Sequence, residues 1–374
     1  MPDSWQSILE RWSNAGLIDA ATAERIRAFE GSHEEPRQFR WPILIAIGFG
    51  ALMLGAGVLL FVSAHWDELS PTGRFSLVLL LVAVFHVVGA VTSERFSAFA
   101  TAMHCIGTVA LGAGIFLAGQ IFNLQEHWPG GVMLWAFGAW LGWWLRRDWV
   151  QASLVAVLTP AWLVAEWVDA TTHFPMADTV VGQGLFLLAI TYFSALVPNH
   201  RETMRRALAW IGGIALIPTA IIAVESRVEQ YWGFGSLHLP FHLGILGYGL
   251  GLALPLLLAF WLRRSGVWLN LIAALWLLSI NLIPMRSSIL PYAWCAVTSL
   301  GLIAWGVKEL RRERINLGVV GFGLTVLIFY FSNVMDKLGR SASLIGLGLL
   351  FLVMGWALER TRRRLVARVK GATA

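Results

Sequence analysis

The chain has 374 residues, 57% hydrophobic and only 13% charged, with a formal net charge of +6 and a mean hydropathy of +0.67. A soluble domain carries about 25% charged residues, so the polar groups here are too few to coat a water-soluble globule. A disordered chain is excluded by the apolar content, and a disulfide-stapled secreted scaffold by the presence of only two cysteines. The 37 glycines and 20 tryptophans suit membrane helices and their interfaces, and the class that follows is an all-α polytopic membrane bundle.

Residues 1–41 precede the first apolar run and read as a short helical hairpin. Trp5, Ile8, Leu9 and Trp12 keep helical spacing after Ser4, a good N-cap. Gly16 suits the turn, and Asp19 can cap a second helix with Ile26 and Phe29 on one face. Either the hairpin lies against the membrane or the bundle, or it docks a membrane-protein partner. It lacks a basic start followed by a short apolar core, so the first span is expected to target the chain.

Twelve runs are long enough to cross about 30 Å of hydrocarbon, and they make 42–358 the bundle. They lie near 42–64, 75–91, 101–122, 131–145, 149–165, 180–197, 207–224, 240–262, 267–283, 289–307, 315–331 and 341–358. The alternative for 131–165 is a re-entrant hairpin, against which stand Arg146, Arg147 and Asp148 at its tip. With both ends cytoplasmic, all of the 28 Lys and Arg residues fall on the inside except Arg74, Arg227, Arg286, Lys337 and Arg340. That asymmetry is the positive-inside pattern and predicts an N-in, C-in topology. Residues 359–374 form a basic tail, in which Arg360 to Lys370 read as an anchor to anionic lipid rather than a nucleic-acid site.

Gly247 and Gly251, with further small residues such as Gly50 and Gly114, predict close helix contacts. Pro160, Pro218 and Pro255 lie within spans and predict kinks. Short matches between 48–74 and 321–340, including Gly48-Phe49-Gly50 and Gly321-Phe322-Gly323, hint at a repeat without matching a six-plus-six arrangement.

Phosphate-loop, H-E-x-x-H, C-x-x-C and G-x-S-x-G motifs are missing, and neither a cofactor nor a resident metal is expected. Cys105 and Cys295 read as packing residues. The polar residues that remain gather at the outer ends of the first and third spans, which antiparallel packing brings to one depth. His65, Asp67, Gln120, Asn123, Glu126 and His127 form the candidate ligand-binding set there. The competing readings are an interfacial belt of His65, Trp66 and Trp128 with solvated acids, or a metal site.

His86 and His104 lie inside spans near their cytoplasmic ends, as a candidate proton relay or a simple interhelical contact. His238 and His242 have the spacing of one helix face, interrupted by Pro240 at the first turn of the eighth span. Arg74 is expected either to pair with Asp67 or Glu68 or to snorkel to lipid phosphate.

The leading functional reading is a membrane protein that transports or binds a small polar or lipid-like solute. A non-catalytic envelope or assembly scaffold is the runner-up, and an intramembrane enzyme using Glu126 or Asp67 comes third.

The stretch Trp12-Ser13-Asn14-Ala15-Gly16-Leu17-Ile18 and the glycine-rich first span ending Phe61 to Ser70 resemble a bacterial family of inner-membrane proteins. This is the domain of unknown function 2157 (DUF2157). Gly119-Gln120-Ile121-Phe122 and the Trp135 region are similar too, so the resemblance covers roughly 5–145. It implies a multi-pass protein of the bacterial inner membrane and supplies no activity or site residues.

Overall fold

The computed structural model describes residues 5–33, 70–121, 127–172, 174, 177–196, 202–232, 240–283 and 289–333, with isolated helical positions within 46–60 and 345–360. Every regular element among the described residues is helical. In chain order they are α1 (Trp5–Asn14), α2 (Ala20–His33), α3 (Pro71–Thr92), α4 (Ser97–Ile121), α5 (Trp128–Arg146) and α6 (Trp149–Ala170). There follow α7 (Ala177–Phe193), α8 (Thr203–Trp232), α9 (Phe241–Arg263), α10 (Trp268–Leu282), α11 (Leu290–Lys308) and α12 (Arg312–Asn333). Each expected span from the second to the eleventh coincides with one helix, α3 to α12. The first and twelfth spans, the repeat and the Ser4 cap lie wholly or largely outside the described residues.

Helices prevail because hydrocarbon offers no partner to backbone N–H and C=O groups, which a helix satisfies within itself. Among the described residues seven helices are long and apolar enough to cross a membrane: α3, α4, α6, α9, α11, α12, and α8 over Thr203–Ser226. The apolar α7 and α10 are shorter. α5 has 19 residues, the length of α11, but Trp128, Trp135, Trp140, Trp143 and Trp144 temper its hydropathy. α5 and α6 are two full helices that reverse between Arg146 and Trp149. Arg147 takes a left-handed conformation (φ 54°), and Asp148 caps α6 by accepting from the Gln151 N–H at 2.8 Å.

Two compact units divide the chain, one comprising Met1–Glu68 with Val87–Ile106 and the other Leu69–His86 with Gly107–Ala374. In the first unit, Leu9 and Ala23 are each 2% exposed and close the α1–α2 hairpin. Gly16 turns the chain at φ +67°, where a side chain is strained, and Asp19 caps α2 through the Thr22 N–H. Ile26 is half-buried, but Phe29 is exposed, so the apolar face expected of α2 is only partly covered.

The core of the second unit surrounds α7. Phe186, Leu187 and Ile190 of α7 pack with Leu216 and Ala223 of α8, Leu277 and Ile280 of α10, and Trp294 of α11. Lipid is as apolar as leucine, so these helices associate through close packing and hydrogen bonds. A close backbone approach is at Gly212 of α8, where an added Cβ would lie 2.4 Å from Phe193 N and 2.6 Å from Ala189 O.

The Gly247–Gly251 step makes contact as the spacing suggests, with Gly247 against the Trp167 ring and Gly251 against Gly184. Pro255 acts less simply than a kink. A proline ring collides with the carbonyl four residues back and supplies no N–H, and α9 meets this with a wide π turn over Gly249–Ala253. By contrast, α6 and α8 run through Pro160 and Pro218 as continuous helices.

Candidate functional site

At one end of the second unit an imidazole is bracketed by two carboxylates. His127 is the N-cap residue of α5, and Pro129 is buried in the first turn, where its missing N–H costs nothing. The side chain of His127 does not cap its own helix, which leaves it to reach the last turns of α6. There Trp162, Glu166 and Asp169 are spaced to share one helix face. His127 Nε2 lies 2.6 Å from Glu166 Oε2, and Nδ1 lies 3.1 Å from Asp169 Oδ2. The indole N–H of Trp162 donates to Glu166 Oε1 at 2.8 Å and holds that carboxylate in place.

A neutral imidazole has one N–H and can donate to only one carboxylate. The two contacts together select the doubly protonated ring. The Glu166 hydrogen bond, helped by the charges of Glu166 and Asp169, raises the His127 pKa above its ordinary value against a smaller opposing effect of burial. The placement opposes both helix dipoles, since the cation sits at the N-terminus of α5 and the anions near the C-terminus of α6. Pairing across the hairpin relieves both. With one positive and two negative groups, the cluster keeps an excess negative charge and stays about half exposed at His127. Both ring nitrogens face carboxylates, so His127 offers no lone pair to a metal.

Of the expected binding set, the structure places His127 in this cluster and Gln120, exposed, in the last turn of α4. His65, Asp67, Asn123 and Glu126 lie outside the described residues, as does the Arg74 pairing with Asp67 or Glu68. Glu166 and Asp169 have no part in the sequence-based set. The signal for them was a carboxylate within an apolar span, which by default marks function, with a second acid three residues on.

His86 and His104 fall in different units. In the second, the half-buried His86 ring lies against Gly107, where a Cβ would come within 2.8 Å. In the first, His104 is 8% exposed and its ring lies against Gly89 in the same manner. Glycine on the facing helix makes room for each ring. His242 is exposed near the start of α9; His238 lies outside the described residues, and Pro240 stands just ahead of the helix rather than in its first turn.

Residues 10–151 match the family described as a predicted membrane protein, DUF2157. No curated protein and no solved structure matches the chain. The match takes in His127 and ends before Glu166 and Asp169. The chain is a multi-pass helical membrane protein, similar over residues 10–151 to the DUF2157 family of predicted membrane proteins.

Proposed function

We propose that this protein binds a small organic cation at the His127–Glu166–Asp169 cluster, as a binding or transport protein of the bacterial inner membrane. The observation that carries this reading is one imidazole shared by two carboxylates. A solute cation and the imidazolium compete for the same oxygens, so the site exchanges a proton for a cation. In this reading residues 1–41 are a cytoplasmic hairpin, 42–358 the bundle and 359–374 a basic tail. The basic helix ends face the cytoplasm and the cluster faces outward, as the positive-inside pattern requires. His65, Asp67, Gln120, Asn123 and Glu126 remain binding candidates, and His86 and His104 proton-relay candidates, each within its own part of the chain.

Choline supplies the test. Thermal unfolding of the detergent-solubilised protein is followed with choline or with an equal concentration of glycerol, at pH 6 and pH 8.5. Choline is expected to stabilise the protein more at pH 8.5, and the Glu166→Gln, Asp169→Asn double variant to lose the effect. No choline effect at either pH, or the same effect in the double variant, overturns the reading. The scaffold alternative draws on the hairpin, where Trp12, Leu17 and Phe29 are 44%, 72% and 61% exposed, a surface suited to a membrane-protein partner.

A further inference from the structure

At the opposite end of the second unit, one carboxylate serves two buried guanidinium groups. The side chains of Arg263 (α9) and Arg314 (α12) are 6% and 3% exposed, and both pair with Glu309, which lies between α11 and α12. The Trp305 indole donates to Glu309 at 2.8 Å, and its ring lies under both arginines, 5.2 Å from Arg263 and 4.9 Å from Arg314. This triad carries a net positive charge in a place where an unbalanced charge is costly.

Arg314 also forms part of the wall of a groove of about 400 Å³ between α7, α8 and α12. The groove is walled by Phe193, Ile214, Leu317 and Val320, with Trp210 beside it and Arg311 at its rim. Arg311 is anchored there by donating to the Leu196 carbonyl at 3.4 Å. The exposed Glu313 on the same groove offsets one charge. With Glu309 shared as above, the balance along the groove remains positive. Trp210, Ile214 and Val320 are 71%, 69% and 51% exposed and lie on helices long and apolar enough to span the bilayer.

We propose that this groove is a binding site for an anionic phospholipid. One acyl chain lies along the apolar wall, and the phosphate headgroup meets Arg311 and Arg314. Three features select this occupant. The walls are too apolar for a free anion or a polar peptide, the opening lies between membrane helices, and the charge at its head is positive where the bundle meets the interface. Basic pockets between membrane helices recognise acidic headgroups in the same way. The site is distinct from the His127 cluster, and its ligand has the opposite charge.

Native mass spectrometry of the full-length protein in neutral detergent tests this, with phosphatidylglycerol, phosphatidylcholine or inorganic phosphate added. Phosphatidylglycerol is expected to be retained in preference to phosphatidylcholine, and inorganic phosphate not at all. Arg311→Gln is expected to weaken phosphatidylglycerol retention roughly fivefold, the effect of about one surface arginine, with phosphatidylcholine unchanged. Val320→Trp, a change at an exposed position of the wall, is expected to reduce retention of both lipids by filling the groove. Equal retention of the two lipids, retention of phosphate alone, or retention unchanged in both variants overturns the proposal.

Discussion

The two ends of the second unit solve the same electrostatic problem with the signs reversed. Near His127 one cation stands between two carboxylates, and all three side chains are between a third and about half exposed. Near Glu309 one carboxylate stands between two arginines that are almost fully buried. Water screens the first cluster, so its pairing is weak and open to exchange. In the second the two guanidinium groups are shielded from water and Glu309 is only 24% exposed, so removing the shared carboxylate leaves two buried positive charges poorly compensated. Similar residue types thus give an adjustable site at one end and a rigid tie at the other. The tie joins α9, α11 and α12, and Arg205 of α8 adds to it by donating to the Leu262 carbonyl at 2.5 Å.

The sharpest way to break this contrast is Glu309→Gln. It leaves Arg263 and Arg314 facing each other across Trp305 and is expected to cost about 3–5 kcal/mol, read from denaturant unfolding of the solubilised protein. A loss under about 1 kcal/mol would place this cluster in the screened class with the other.

A test of helix packing rather than of either charge cluster is Gly212→Ala. The new methyl would press on the backbone of α7, and overpacking of this kind costs about 1–3 kcal/mol. If unfolding is unchanged by it, α7 and α8 are not held at the distance described.

Asp148→Ala removes the cap of α6 and the Arg146 contact at 3.2 Å, at an expected cost of about 1 kcal/mol. Asp148→Asn retains the capping oxygen and is expected to recover most of that loss.

The smallest effect at neutral pH, and the most diagnostic, belongs to His127→Gln. Because pairing raises the His127 pKa, its stabilisation is complete below the unfolded value near 6.5 and is lost as the pH rises through the folded one. Glu309 behaves in the opposite sense. Burial pushes its carboxyl up, but Arg314, Trp305 and Arg263 together hold it below the ordinary range. Its contribution is present above the unfolded value near 4.5 and is lost only as pH falls through the folded one. Across the window that opens above the unfolded histidine value near 6.5, therefore, the His127 end titrates while the Glu309 carboxylate stays ionised. The wild-type protein is expected to lose thermal stability across that window, and His127→Gln to flatten the profile. A variant that retains the wild-type slope would assign the titration elsewhere.

How far the residues announced this arrangement differs from element to element. The reversal at Arg146, Arg147 and Asp148 was readable because charged residues interrupt two apolar runs there; that Asp148 caps α6 came from the structure. The end of α8 was not: the apolar run fades near residue 224, yet the helix continues to Trp232, since polar side chains also extend a helix once it leaves the hydrocarbon. The π turn in α9 was announced by Pro255 only as a disturbance. The turn packs closely on α7 at Gly184, whose Cβ, if present, would lie 3.0 Å from the Gly251 Cα.

Helix positions, approximate lengths and the one-sided distribution of basic residues follow from the sequence by itself. Hydrocarbon demands about 20 apolar residues per crossing and internally satisfied backbone, and both demands are local. Which side chains meet was decided by tertiary structure. His127 could be assigned to a polar cluster from its position, but its partners are 39 and 42 residues further along the chain, on α6. Glu309 meets Arg314 only five residues along the chain, but Arg263 reaches it from 46 residues earlier, on α9. Local spacing specifies the face of a helix on which a charge lies. Only the packing of small residues between helices specifies the opposite charge that the face meets.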